Sequence, residues 1–390
     1  MPDTFSYLAA AQNLLEHGAF LNSDGLPDTI RTPGFPLLIA LSQTLNLGLM
    51  GVIVLQHLSV FTIGCFAGVI VKRYGPTTIL FCTGLTWYNL LLAIYPNFLL
   101  SEIWFTMLTT AALTTLIVAC RRKVRQAGYV AAAALLFGCA ILVRPIGLFL
   151  FIPATLSLLL FLKAGQRRLI LVFLILFSLA PISWMARNYV LTDQFTLSNI
   201  TDVNLLGYQA AGTLAMRDGG DYATALERNK QELMQEASTR YAAQPTANRL
   251  SLSKIRRSMS LDIFKAHPGS LALHLLRNTG ASLLGNASTI LQALTGWSQK
   301  SAMAAAGTLA AAMLLLAFFG LVLLIRNGDT RLAVVFVLFA GYYVGLAAVG
   351  GVGGSRFRIP AEPIFCILAG IALSRLLAKV TTLQSDNSIF

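Results

Sequence analysis

Charge is scarce in this sequence. Only 12% of its 390 residues are Asp, Glu, Lys or Arg, against 56% that are apolar, and the mean hydropathy of +0.70 leaves too few polar side chains to keep a soluble domain hydrated. Such a chain needs a bilayer as solvent. Acids are scarcer than bases, 16 against 29, for a formal net charge of +13. The bases stand in short clusters between apolar runs, which is a pattern of membrane topology and not of a nucleic-acid surface, so no nucleic-acid partner is expected. The five cysteines, Cys65, Cys82, Cys120, Cys139 and Cys366, are odd in number, lie within or at the end of apolar runs and lack CxxC spacing. They read as packing residues, not as disulfides or metal ligands. The four histidines, His17, His57, His267 and His274, are scattered, and HExxH and GxSxG are absent, which leaves metal-dependent hydrolase chemistry without a motif. Gly350-Gly351-Val352-Gly353-Gly354 lacks the GxxxxGK[ST] pattern and reads as a hinge or close-approach loop.

What is present is a series of apolar runs near the 20 residues that a membrane helix requires. Nine spans are predicted: Met50 to Val71, Thr77 to Ile94, Phe98 to Cys120, Ala127 to Val143, Ile146 to Leu162, Leu169 to Met185, Met303 to Ile325, Leu332 to Val349 and Ile359 to Leu377. If the chain crosses each time, Lys72-Arg73, Arg121-Arg122-Lys123-Val124-Arg125, Lys163 with Arg167-Arg168, Arg326 with Arg331, and Lys379 share one side, the cytoplasmic one. All acids except Asp329 and Asp386 then fall on or near the outer face. Four regions follow: a first outer segment over 1–48, a first part of the bundle over 49–187, a long outer segment over 188–302, and the last part of the bundle with a short cytoplasmic tail over 303–390. Leu271 to Leu294 is apolar but interrupted by His274, Arg277 and Asn286, and counting it as a span breaks the charge alternation, so it reads as an interfacial or re-entrant helix. The same alternation puts Met1 outside without a leading helix, and one further span upstream of Met1 is expected.

The outer segments hold the candidate chemistry. Pro2 to Gly18 can form an amphipathic helix that begins at Asp3, and Arg31-Thr32-Pro33-Gly34-Phe35-Pro36 sets an arginine beside a rigid turn. Soluble helices are predicted over Tyr222 to Ala242 and Ser251 to His267. Glu102, Arg144, Arg187, Arg356 and Arg358 stand at the outer membrane boundary. Each alone reads as well as a snorkelling anchor; together, a carboxylate and several guanidinium groups at one depth can surround an anionic lipid headgroup, because the planar fork of arginine matches phosphate. A transporter or lipid flippase could use the same residues, although no inverted repeat and no pair of broken mid-membrane helices is found. A noncatalytic anchoring subunit is the third reading.

Seven pieces in order resemble the GT-C class of glycosyltransferases, in particular the bacterial branch related to protein O-mannosyltransferases and the lipid A aminoarabinose transferase. They are Pro2-Asp3-Thr4-Phe5-Ser6-Tyr7 through Gly18, Arg31-Thr32-Pro33-Gly34-Phe35-Pro36, Ser101-Glu102, Gly138 to Arg144-Pro145-Ile146-Gly147, Arg187-Asn188-Tyr189, His267-Pro268, and Ser355-Arg356-Phe357-Arg358-Ile359-Pro360-Ala361-Glu362-Pro363. The resemblance implies an all-α GT-C-like bundle in a bacterial inner membrane, its active site facing the periplasm. It also implies a polyprenyl-phosphate-linked sugar donor and a glycan, lipid or protein acceptor. In such families the first outer loop carries an essential aspartate, a role that transfers to Asp3, with Glu102 as second carboxylate. Arg356, Arg358, Arg187 and Arg144 become the donors to the lipid phosphate, and Tyr7, Arg31 and His267 candidate substrate contacts. Relatives often have Asp-Glu at the first loop where Thr4 follows Asp3 here, which leaves a divalent metal possible but undecided. Because Phe390 closely follows the last span, acceptor recognition is expected from the segment between Arg187 and Ala302.

Overall fold

The computed structural model describes residues 2–122, 124–244, 251–284, 288–350 and 354–387. Met1, Lys123, Asn286, Gly351, Val352, Gly353 and Phe390 lie outside the described residues, as does the side chain of Asp386. Among the described residues there is no β-strand, only an isolated bridge between Leu21 and Pro27. Two short helices, α1 (Pro2–His17) and α2 (Gly34–Thr44), lead into α3 (Gly48–Val71), α4 (Pro76–Trp87), α5 (Leu90–Ile94), α6 (Glu102–Arg121), α7 (Gln126–Val143), α8 (Phe151–Phe161) and α9 (Arg168–Thr192). A helical cap follows. Its α10 (Ile200–Asn204) continues through a π-helical stretch, Leu205–Ala210, into α11 (Ala211–Asp218), and then come α12 (Tyr222–Ala242), α13 (Leu252–Ala266), α14 (Pro268–Leu284) and α15 (Ser288–Thr295). The chain returns to the bundle with α16 (Gln299–Arg326), α17 (Thr330–Gly350) and α18 (Glu362–Asn387).

Among the described residues, seven helices are long and apolar enough to cross a membrane: Gly48–Tyr74, Glu102–Arg121, Gln126–Val143, Ala164–Thr192, Gln299–Arg326, Thr330–Gly350 and Ser355–Lys379. The chain is an all-α polytopic membrane protein. Two of the nine expected spans differ. The run from Thr77 to Ile94 breaks into Pro76–Trp87 and Leu90–Asn97, bent by 52°, because Asn89 takes an extended backbone and its side chain accepts from the amides of Leu91 and Leu92 as an N-cap. The run from Ile146 to Leu162 becomes the shorter helix Pro145–Phe161, which opens on a 3-10 turn. Pro145 pushes Arg144 out of the helical region, to φ −144° and ψ 125°, and this ends α7 at Val143.

Alternate crossing gathers the basic clusters at one end. There Arg73 and Tyr74 both contact Asp329, Arg121 donates to the carbonyl of Ile70 at 2.6 Å, Gln166 donates to Gln126 at 2.7 Å, and Arg331 lies over the Phe161 ring. Inside the bundle Phe105, Phe137, Phe173, Phe336 and Phe339 are wholly buried, with Phe137 stacked on Phe339. Helix α16 buries Ala302, Ala306, Ala310, Ala317 and Gly320, and small residues of this kind let membrane helices approach closely.

The cap has its own apolar centre, in which Leu206, Ala210, Leu233, Ala237, Ile255 and Met259 pack together. Asp202 is buried there and held by Arg257 at 2.9 Å. Helix α14 is inverted by soluble standards: His274, Asn278 and Ser282 are fully buried, whereas Leu273, Leu276 and Leu284 are exposed. A polar stripe at i, i+4 and i+8 turned inward and an apolar one turned outward describe a helix with hydrocarbon on its outer side.

The approach of α16 to α18 is the tightest of these contacts. A Cβ on Gly320 would stand 1.8 Å from the carbonyl oxygen of Leu368, whereas one on Gly341 would meet nothing within 4 Å. Gly320→Ala is therefore expected to destabilise the bundle by at least the ~1–3 kcal/mol typical of overpacking, read as a lower thermal midpoint in detergent, while Gly341→Ala leaves the midpoint in place.

Candidate functional site

At the end of the bundle away from the basic clusters, the starts of α1 and α6, the end of α7 and the turn before α18 meet. Each presents one charged side chain. Asp3 lies in the first turn of α1 and Glu102 in the first turn of α6, where the partial positive charge of a helix N-terminus favours a carboxylate. Arg144 is the extended residue that Pro145 releases from α7. Arg356 belongs to the 3-10 turn Ser355–Ala361. Arg31 enters from the loop before α2, its amide donating to Asp28 Oδ1 at 3.0 Å.

The resulting cluster is continuous. Asp3 accepts from Arg31 Nη2 at 2.6 Å on Oδ1 and pairs with Arg356 Nη2 at 2.8 Å on Oδ2. Arg356 also donates through Nε to Glu102 Oε1, which takes Arg144 Nη1 at 2.5 Å as well. Ser101 Oγ receives Arg144 at 3.2 Å and lies 3.0 Å from the hydroxyl of Tyr7, whose ring sits under the Arg31 guanidinium at 4.7 Å. Ser6 Oγ accepts from Arg31 Nε at 2.8 Å. Glu102 is 1% exposed, and its Oε2 is buried without a hydrogen-bond partner. Three guanidinium groups face two carboxylates, so the cluster keeps one positive charge in excess and suits an anion. Burial would raise the Asp3 carboxyl, but the neighbouring Arg31 and Arg356 outweigh it and hold the group down at about 2.

A divalent cation does not fit this set. Both oxygens of Asp3 and one of Glu102 face guanidinium groups, and among the described residues no three Asp, Glu, His or Cys side chains gather. A cation would add to an existing positive excess.

The other candidates fall elsewhere. Arg187 donates to the carbonyls of Asp28 at 3.0 Å and Phe20 at 2.7 Å and lies over the Trp184 ring, so it fastens the first loop to α9. Arg358, expected beside Arg356 on the phosphate, is turned the other way: it is buried, donates to Glu362 Oε1 at 2.5 Å and reaches the carbonyls of Ser282 and Leu283. Residues two apart on a helical turn do not share a face. His267 caps α13 at the cap surface, with Arg217 Nη1 3.4 Å from its Nε2. Sequence reasoning missed Glu362, the partner of Arg358, although it stands at the i+4 spacing of a helical ion pair, and Asn89, which donates to Glu362 and is a polar residue within an apolar run.

No protein-family model matches the sequence, and no curated protein matches it either. Solved structures do match. The apo oligosaccharyltransferase of Archaeoglobus fulgidus aligns over 99% of this chain and 48% of its own, with 13% identity and a TM-score of 0.50. The fold is GT-C-like. Fainter likenesses are AglB of the same organism in complex with an inhibitory peptide and a dolichol-phosphate (12% identity, 100% of this chain, 48% of that one, TM-score 0.47) and ArnT from Cupriavidus metallidurans bound to undecaprenyl phosphate (13%, 96%, 74%, 0.44). The chain thus spans about half the length of the oligosaccharyltransferases it aligns with. Within this GT-C-like frame the charge cluster lies at one end of the bundle.

The histidine that is buried is not His267 but His274. Tyr222 Oη lies 3.1 Å from its Nδ1, Asn278 Nδ2 3.1 Å from its Nε2, and Gly212 packs so closely that a Cβ there would strike the ring. Burial, and then Arg277, lower its proton affinity from 6.5 to about 4. The unfolded chain binds this proton first, so the stability contributed by the neutral ring is complete above pH 6.5 and is lost as pH falls through about 4. The thermal midpoint is expected to decline across that window, and His274→Gln to flatten the decline.

Proposed function

We propose that this chain is a membrane glycosyltransferase that moves a sugar from a polyprenyl-phosphate donor to a periplasmic glycan, lipid or protein acceptor, with inversion. The observation that carries the reading is the cluster of Arg31, Arg144 and Arg356 around Asp3 and Glu102, with one positive charge in excess, at one end of a GT-C-like bundle. The basic clusters at the other end support an outward-facing site in a bacterial inner membrane, by the positive-inside rule.

The chemistry follows from which groups can be reached. The Asp3 side chain is 29% exposed and that of Glu102 only 1%, so Asp3 is the carboxylate an acceptor can approach. With Arg31 and Arg356 upon it, Asp3 is a weak base. A donor phosphate competes for Arg356, and each contact it gains there relieves Asp3 of a positive neighbour and raises its basicity. The acceptor O–H or N–H then gives its proton to Asp3 as its heteroatom bonds to the anomeric carbon. The bond from that carbon to the phosphate oxygen breaks on the opposite face, its electron pair leaving with the polyprenyl phosphate. Arg356 and Arg144 stabilise the charge that collects on the departing phosphate. Glu102 fixes both arginines through Oε1. Tyr7 and Arg31 shape the acceptor side, Arg187 holds the loop that carries Arg31, and His267 is the acceptor contact on the cap.

Membranes carrying the protein, supplied with a panel of undecaprenyl-phosphate-linked sugars and a cell-envelope acceptor fraction, are expected to release undecaprenyl phosphate. Asp3→Asn should lower that release by roughly 10²–10⁴, the usual contribution of a general base, while the protein remains in the membrane. Undiminished release from Asp3→Asn would remove Asp3 from the mechanism.

A further inference from the structure

The turn that carries Arg356 also carries a second buried network that the proposed chemistry does not use. Arg358, two residues on in the same turn, is 5% exposed, Glu362 1% and Asn89 7%. Glu362 receives Arg358 Nε on Oε1 at 2.5 Å and Asn89 Nδ2 on Oε2 at 2.7 Å. Arg358 Nη1 donates to the carbonyls of Ser282 and Leu283 in the last described turn of α14. Asn89 caps α5 with its carbonyl oxygen. Four elements are thereby joined at one ion pair: the start of α5, the end of α14, the Ser355–Ala361 turn and the start of α18.

On the side of Arg358 the turn borders open space. Arg358, Glu362 and Asn89 line a cavity of about 210 Å³, whose other walls include Ala306, Leu309 and Ala310 of α16. Ile359 and Ala361 of the same turn are buried in the apolar core, so on the cavity side the polar ties add to that packing.

We infer that Arg358, Glu362 and Asn89 are positioning residues that set the Ser355–Ala361 turn and so fix Arg356 between Asp3 and Glu102 for the donor phosphate. They touch neither phosphate nor sugar. The inference rests on the reading of Arg356 as a phosphate contact.

The test is a double-mutant cycle on the full chain in lipid nanodiscs, with undecaprenyl phosphate as the probe. Glu362→Gln keeps the side-chain volume and removes the charge that grips Arg358. It is expected to weaken undecaprenyl phosphate binding by roughly tenfold to a hundredfold, the scale on which an ångström of misplacement acts. In an Arg356→Gln background the same change should cost nothing further. An equal loss in both backgrounds, or none in either, overturns the positioning role. If the wild type fails to bind, or Arg356→Gln binds as the wild type does, the phosphate reading of Arg356 falls first and takes this inference with it. Should Glu362→Gln fail to fold, Asn89→Ser keeps the α5 cap and removes only the amide donor to Glu362; it must show the same dependence on Arg356.

Discussion

Two carboxylates and three guanidinium groups share one small volume at the end of this bundle, and neither carboxylate can be removed without leaving further positive charge uncompensated. Glu102, at 1% exposure, would be very costly to ionise there without Arg144 and Arg356 on its Oε1. Arg356 in turn needs both acids. Because the five side chains come from α1, the loop before α2, the start of α6, the end of α7 and the turn before α18, their mutual neutralisation fixes how those segments meet. The arrangement is neutral enough to be buried and unbalanced enough to welcome one more anion.

Much of this frame was legible in the sequence, because the forces that set it are one-dimensional. Apolar runs of membrane length gave the helices, and the alternation of Lys and Arg clusters gave the up-and-down order, which the contacts among Arg73, Asp329 and Arg121 then placed at one end. Local overrides were harder to read. A hydropathy window averages over Asn89 and does not register that its side chain can cap a new helix, and it passes Pro145 without noting that the residue before a proline is driven into an extended backbone. Those two residues account for the departures from nine uninterrupted spans.

The site was legible as a set of charges and not as a set of directions. Asp3, Glu102, Arg31, Arg144 and Arg356 come together, while Arg358, near neighbour of Arg356 in the chain, faces the opposite way. Proximity in sequence had grouped them, yet a tight turn separates residues two apart. His274 was visible as an interruption of an apolar run, but Asn278, four residues on and on the same face, was passed over. What the sequence did not hold was the identity of their partners, Tyr222 and the carbonyl of Ala348, which lie many residues away.

The inverted surface of α14 bears on how the molecule is assembled. A helix whose inner stripe is His274, Asn278 and Ser282 cannot rest in hydrocarbon by itself, because those groups would have nothing to bond to. Two of its ties, the Ala348 carbonyl and the Arg358 guanidinium, belong to segments that leave the ribosome later than α14 does. The inward stripe of α14 is therefore completed only once the last two spans have been made, so this helix depends on segments that follow it in the chain.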